Sequence, residues 1–191
     1  MELYVVRHGQ TEYNIKKVFQ GHIDIPLNEV GEKQAEETAL KFKNIDIDML
    51  LVSPLQRTIQ TAKYISEITG VPITIEERIV ERNFGNMEGH ANRDDWNIKM
   101  MLDYQKNYNK ENIEPIQELF KRIYDFLDEI TEKYKDKKII LVTHGAVSQP
   151  IECYFKGMPS IMDFEHLEKL TLKNCEVRKY EVRHQNKEEE R

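Results

Sequence analysis

Two histidines follow apolar segments in the same way. His8 comes after Arg7 at the end of the apolar run 3–6, and His144 comes just after the apolar run 139–142; a glycine follows each histidine. Continuous runs of β-forming residues predict strands buried on both faces, which are typical of parallel sheets. Ligands in such folds bind beyond the carboxyl ends of the strands. The two histidines are therefore predicted to lie in one site.

Two arginines are candidates for binding a phosphate beside His8. Arg7 precedes it, and Arg57 lies one helical turn after a third apolar run, residues 49–52, where the Ser-Pro pair at 53–54 predicts the start of a helix. Helix N-termini favour anions, and a guanidinium binds phosphate through two parallel hydrogen bonds. The same positive charges should lower the pKa of His8 in the empty site and keep its imidazole neutral.

Two glutamates, Glu81 and Glu88, lie in a predicted loop over residues 76–92. A carboxyl group there can protonate a leaving alkoxide and later activate water as a base. We expect Glu81 to take that role, which requires a protonated carboxyl group in the loaded site; the negative charge of a bound phosphate favours that form. Glu88 is the alternative acid, and we expect it instead to hold the glycine-containing loop.

The remaining elements alternate strands with helices, which predicts an α/β domain with a largely parallel sheet. A weak helical stripe contains Trp96, Met100, Met101 and Tyr104, and Gly70 is suited to ending a helix. Besides the three apolar runs, strands are predicted at residues 73–75, 170–172 and 177–182, and helices at residues 29–42, 55–69, 116–134 and 146–155.

The ordered set of motifs resembles the histidine phosphatase superfamily, and most closely its cofactor-dependent phosphoglycerate mutase-like branch. The resemblance spans about residues 2–182 and implies a three-layer α/β/α sandwich that catalyses without a metal. It adds His144 as a phosphoryl contact, Asn14 and Gly145 as phosphate-binding residues, and Thr11, Gln20 and Gly21 as substrate contacts. The motifs that carry it are Arg7-His8-Gly9, Thr11, Asn14, Gln20-Gly21, Ser53-Pro54-Leu55, Arg57-Thr58, Glu81, Gly85, Glu88-Gly89, Thr143-His144-Gly145 and Asn174-Cys175.

The expected activity is hydrolysis of small phosphorylated metabolites through a phosphohistidine, with His8 as the nucleophile. A phosphoglycerate mutase, an α-ribazole phosphatase and a non-catalytic module that binds a phosphorylated ligand remain alternatives. The middle segment, residues 90–114, is short compared with mutases of the branch, which favours a phosphatase. Residues 112–116 replace a Gly-Glu-Ser that the branch often carries, and this departure bears on the substrate rather than on the phosphoryl-transfer core.

Composition sets further limits. The 191 residues are expected to form a single domain, 1–191, with a charged tail over about 184–191. A net charge of −6 argues against nucleic-acid binding. The two cysteines, Cys153 and Cys175, are expected to be buried thiols. No signal peptide, membrane span or Walker-type Gly-Lys-Ser/Thr loop is recognisable, so we expect a cytoplasmic protein that is not a P-loop kinase. The oligomeric state is left open.

No cofactor or metal is predicted, because no His, Asp and Cys residues show ligand spacing. Turnover of a phosphate ester should therefore survive EDTA, since the arginines already supply positive charge to the phosphoryl group. Initial rates before and after dialysis against EDTA, with a metal-dependent phosphatase as the control, measure this. A strict requirement for an added divalent ion would overturn the prediction.

Overall fold

The computed structural model describes residues 1–90, 99 and 101–182. Its centre is one five-stranded sheet with strand order β3-β2-β4-β1-β5, in which β5 runs antiparallel to β1 and the other neighbours are parallel. The strands are β1 (Glu2–Arg7), β2 (Met49–Val52), β3 (Ile73–Ile75), β4 (Lys138–Thr143) and β5 (Val177–Glu181).

Register brings the ends of three strands together. Arg7 of β1 is paired with Thr143 of β4, and Val142 of β4 is paired with Val52 of β2. The carboxyl ends of β1, β4 and β2 therefore lie side by side at one edge of the sheet, where the sequence places its histidines and arginines.

Helices cover both faces of the sheet, as the continuous burial of strands β1 and β4 requires. Leu3 and Val5 of β1 pack with α4 and α5 on one face, whereas Tyr4 and Val6 pack with α2 and α3 on the other. This confirms the three-layer α/β/α sandwich. The helices are α1 (Glu12–Ile15), α2 (Glu29–Leu40), α3 (Gln56–Thr69), α4 (Ile116–Lys133), α5 (Gly145–Lys156) and α6 (Phe164–Leu170), with short 3-10 helices at Glu77–Ile79 and Gly85–Met87.

Most predicted elements are present, and Gly70 ends α3 in the left-handed conformation with φ +72°. Helix α5 continues through Pro150. Both cysteines are buried, as predicted, and burial raises the pKa of each thiol to about 11. Helices α1 and α6 and the two 3-10 helices were not predicted.

The strand predicted at residues 170–172 is wrong. Leu170 is the last residue of α6, a helix that begins where the Asp163 side chain accepts a hydrogen bond from the His166 N–H. Leu172 has neither backbone group in a ladder: its N–H donates to Ser148 Oγ, and its carbonyl accepts from Arg7. Side chains from two other elements thus take the hydrogen bonds that a neighbouring strand would have taken.

Some expectations fall on residues outside this description. Trp96, Met100 and the charged tail at 184–191 are among them, whereas Met101 is helical and buried. Within the described part of the chain, every helix is too short or too polar to cross a membrane.

Candidate active site

His8 follows β1 and is 1% exposed. Its N–H donates to the carbonyl of Thr143 at 3.0 Å, which fixes the backbone against β4. Its Nδ1 lies 2.7 Å from the carbonyl oxygen of Gly9. A carbonyl can only accept, so Nδ1 carries the hydrogen and Nε2 carries the lone pair. The structure thereby identifies the Gly9 carbonyl as the acceptor that fixes the tautomer of His8, which the sequence alone does not show.

The electrostatics of the site keep this imidazole neutral. Burial, followed by the positive charges of Arg57 and Arg7, lowers the pKa of His8 well below its ordinary value; the bond to Gly9 opposes the shift and is the smallest contribution. A neutral ring is required for attack through Nε2, because a protonated nitrogen has no lone pair.

Arg57 is fully buried in the first turn of α3. One terminal nitrogen donates to the carbonyl of Ile23 at 2.9 Å and the other to the carbonyl of Gly21 at 2.8 Å. Its Nε has no hydrogen-bond partner among the described residues. Burial is the main reason that the pKa of Arg57 falls to about 10. The two carbonyls fix the guanidinium and leave Nε–H available for an anion.

Arg7 lies in the wall of the cleft beside His8. Its Nη1 donates to the carbonyl of Leu172 at 2.6 Å. The guanidinium passes over Gly145, where a built Cβ would stand 3.2 Å from Arg7 Cζ and 3.3 Å from Thr171 Cγ2. The glycine after His144 therefore makes room for an arginine at the start of α5.

His144 ends the β4 segment and directly precedes α5. It is fully buried, and its ring centroid lies 5.3 Å from that of His8. Burial, with Arg57 and His8, lowers the pKa of His144 well below its ordinary value, so this ring is also neutral. Its Nε2 lies 2.6 Å from Ser53 Oγ. The sequence indicates Ser53 only as part of the start of a helix, and its contact with His144 is visible only in the structure.

Glu81 reaches the same cleft from the loop after β3. One carboxylate oxygen accepts the Arg82 N–H at 3.0 Å, and the other lies 3.4 Å from the Ala146 N–H at the start of α5. The Glu81 carbonyl accepts from His22 Nε2 at 2.9 Å and Arg122 Nη2 at 3.3 Å. Hydrogen bonds thus hold both the side-chain carboxylate and the backbone carbonyl of Glu81, and the residue is only 8% exposed.

Glu88 has different surroundings. Its Oε1 accepts the N–H groups of His22 at 2.9 Å and Phe84 at 3.0 Å, which ties two loops together. Gly21 lies against this carboxylate with φ +48°, and a Cβ on it would stand 1.9 Å from Glu88 Oε1. A side chain at position 21 would have to displace the Glu88 carboxylate, and the carbonyl of Gly21 is one of the two that hold Arg57.

The other three candidates cluster around α1. Thr11 is buried, and its Oγ1 accepts the Asn14 N–H at 3.2 Å as the N-cap of α1. The same oxygen lies 3.0 Å from Gln20 Oε1. Asn14 and Gln20 line the cleft, whereas Thr11 does not. Thr11 instead contacts both of these residues through its hydroxyl group.

The cleft is lined by both polar and apolar side chains and has a free volume of about 760 Å³ that includes open solvent. Arg57 and His144 lie behind its surface. Within the described residues, no group of three His, Cys, Asp or Glu side chains is placed to hold a metal. The lining residues are Arg7, His8, Asn14, Val18, Phe19, Gln20, Gly21, Glu81, Phe84, Leu102, Gly145, Ala146, Gln149, Phe164, Leu167, Glu168 and Thr171.

Comparison with known proteins agrees with this geometry. Residues 3–191 match the profile of the family described as "Histidine phosphatase superfamily (branch 1)". The chain belongs to that family, which confirms the resemblance found in the sequence.

Individual relatives cover nearly the whole chain. The uncharacterized phosphatase PhoE of Bacillus subtilis is 32% identical over 90% of this chain and 86% of its own length. The probable phosphoglycerate mutase GpmB of Escherichia coli is 28% identical over 93% and 83%. A crystal structure of a phosphoserine phosphatase mutant from Entamoeba histolytica, in complex with phosphoserine, is 28% identical, with a TM-score of 0.81 over 96% of this chain and 91% of that one.

Proposed function

We propose that this protein is a phosphatase that hydrolyses small phosphate monoesters through a phosphohistidine at His8 Nε2. The observation that carries the proposal is the state of the His8 ring. It is buried and neutral, and its Nδ1–H is bound to the Gly9 carbonyl, which leaves the Nε2 lone pair beside two arginines. The relatives support the class of reaction, since they are named as phosphatases or as a phosphoglycerate mutase.

In the first step His8 Nε2 attacks phosphorus, and the bond from phosphorus to the ester oxygen breaks. Glu81, protonated in the loaded site, gives its proton to that oxygen, so the alcohol leaves neutral. Arg7, Arg57 through Nε–H, and His144 bind the equatorial phosphoryl oxygens, where the negative charge of the transition state is spread.

In the second step a water molecule attacks the phosphohistidine. The Glu81 carboxylate takes a proton from this water, and the bond from phosphorus to His8 breaks. Inorganic phosphate leaves, and the enzyme returns to a neutral imidazole and a protonated carboxyl. Asn14 and the backbone amides after Gly145 add contacts to the phosphoryl group, while Gln20 and Gly21 border the substrate.

The apolar wall of the cleft indicates the kind of substrate. Phe19, Phe84 and Leu102 line the cleft together with the α6 residues Phe164 and Leu167. Among the described residues that line the cleft, Arg7 is the one lysine or arginine. An ester whose alcohol is partly apolar fits this wall better than a phosphoglycerate, whose carboxylate needs a second cation. The proposal therefore favours a phosphatase over a mutase, with a small metabolite in a cytoplasmic setting as its partner.

A substrate screen tests this preference. Alkyl and aryl phosphates should give a higher kcat/KM than 3-phosphoglycerate, and 3-phosphoglycerate with bisphosphoglycerate should yield free phosphate rather than 2-phosphoglycerate. α-Ribazole phosphate and phosphoserine belong in the same screen. Efficient formation of 2-phosphoglycerate would establish a mutase, and binding without turnover of any ester would establish a non-catalytic module.

Replacing Glu81 by Gln tests the leaving-group acid. An alkyl phosphate should lose far more rate than an activated aryl phosphate, because an aryl oxide leaves without protonation. Steady-state kcat/KM for the two esters gives the comparison. Glu88→Gln is the matched control: the selective loss in that variant would identify Glu88 as the acid, and an equal loss for both esters in Glu81→Gln would give Glu81 another role.

The phosphohistidine itself can be trapped. A phosphoramidate is stable in alkali and labile in acid, so an alkaline quench during turnover of a labelled ester should leave label on His8. His8→Ala should remove both the label and several powers of ten in activity, whereas His144→Ala should slow labelling without moving it. Peptide mapping decides the matter, and label on His144, or substantial turnover by His8→Ala, contradicts the mechanism.

A further inference from the structure

Ser53 is the first residue after β2, and its place follows from the sheet. Val52 pairs with Val142, and the Ser53 N–H donates to the Val142 carbonyl at 3.1 Å. Ser53 therefore lies beside the carboxyl end of β4, next to His144, which is the first residue after that strand. Both side chains are fully buried, and Ser53 Oγ lies 2.6 Å from His144 Nε2.

The hydrogen atoms in this contact can be assigned by comparing how many buried polar groups each tautomer of His144 leaves without a partner. His144 Nε2 is the one hydrogen-bond partner of Ser53 Oγ among the described residues. If Nε2 carried the hydrogen, the buried hydroxyl hydrogen of Ser53 would have no acceptor there, and Nδ1 would be a lone pair without a donor. If Ser53 donates to Nε2, only the Nδ1–H is left without a partner. The second arrangement leaves one polar group unsatisfied instead of two, and is favoured.

The remaining nitrogen, His144 Nδ1, is buried and has no hydrogen-bond partner in the described part of the chain. The ring stands 5.3 Å from that of His8, and the charges of Arg57 and Arg7 act on it. Phosphoryl oxygens are acceptors at neutral pH, so they can be bound by an N–H and are repelled by a lone pair. The neutral His144 ring is therefore useful to a phosphoryl group in only one of its two tautomers.

We propose that Ser53 is a positioning residue that donates its hydroxyl hydrogen to His144 Nε2, and so fixes the tautomer in which His144 Nδ1–H binds a phosphoryl oxygen. The inference rests on the proposed phosphatase function and deepens it. Ser53 itself does not contact the substrate; it acts through His144.

The tautomer is measured first, on the substrate-free protein. Long-range ¹H–¹⁵N spectra distinguish Nδ1–H from Nε2–H, and His144→Asn assigns the signal. The wild type should show the Nδ1–H form, and Ser53→Ala should show a mixture or the other form. An Nε2–H ring in the wild type overturns the proposal, whatever the fate of the phosphatase function, because this measurement needs no turnover.

Kinetics then show whether the tautomer matters. Ser53→Ala should lower kcat/KM for an aryl phosphate by about tenfold to a hundredfold, as the loss of a partner that orients a metal-bound histidine does, and should weaken competitive inhibition by inorganic phosphate. In a His144→Ala background the same change should have little further effect. An equal loss in both backgrounds overturns the proposal, because it would reflect structural damage alone.

Thr58→Val is the matched control. Thr58 is also fully buried at the start of α3, and its hydroxyl donates to the carbonyls of Ser53 and Leu55 rather than to a histidine. It should lower thermal stability while leaving the His144 tautomer unchanged. Ser53→Cys, which keeps a weak donor of similar size, should lie between the wild type and Ser53→Ala; a tautomer shift in Thr58→Val as large as that in Ser53→Ala would count against a specific role for Ser53.

Discussion

The site depends on holding buried positive charge next to two neutral histidines. A guanidinium removed from water needs acceptors, and carboxylates would cancel the charge that a phosphate is to meet. Backbone carbonyls accept hydrogen bonds from both: Gly21 and Ile23 hold Arg57, and Leu172 holds Arg7. These dipoles orient each guanidinium, while the carboxylates of Glu81, Asp24 and Glu88 act on Arg57 as charges without bonding to it. The positive charge of the two arginines, together with burial, keeps His8 unprotonated and ready to attack.

Some polar groups in this arrangement are left without protein partners. Arg57 Nε and His144 Nδ1 are both buried and unbonded among the described residues. Each such group costs about 1–3 kcal/mol, and a fold selected for stability alone would remove them. In the proposed mechanism, phosphoryl oxygens accept hydrogen bonds from both groups. The cost is then part of the binding site, since the donors are already desolvated and oriented before the substrate arrives.

The sequence predicted the sheet, most helices and the neighbourhood of the two histidines, because burial patterns and strand ends are local features. The sequence did not predict side-chain contacts between residues that are far apart in the chain. Arg7 and Leu172 are 165 residues apart, and their contact replaces a strand that the alternation of residues 170–172 indicated. Ser53 and His144 are 91 residues apart. Only the register of β2 and β4 shows that they meet, and register is not visible in one sequence.

The segment in which the chain departs from its family has a physical role in the site. Glu114 accepts from Arg122 Nε at 2.7 Å and from the Asn83 N–H at 3.2 Å, and its carbonyl accepts from Arg82 at 2.8 Å. Arg122 in turn holds the Glu81 carbonyl. Glu114, just before α4, and Arg122, within it, therefore anchor the loop that carries the proposed acid.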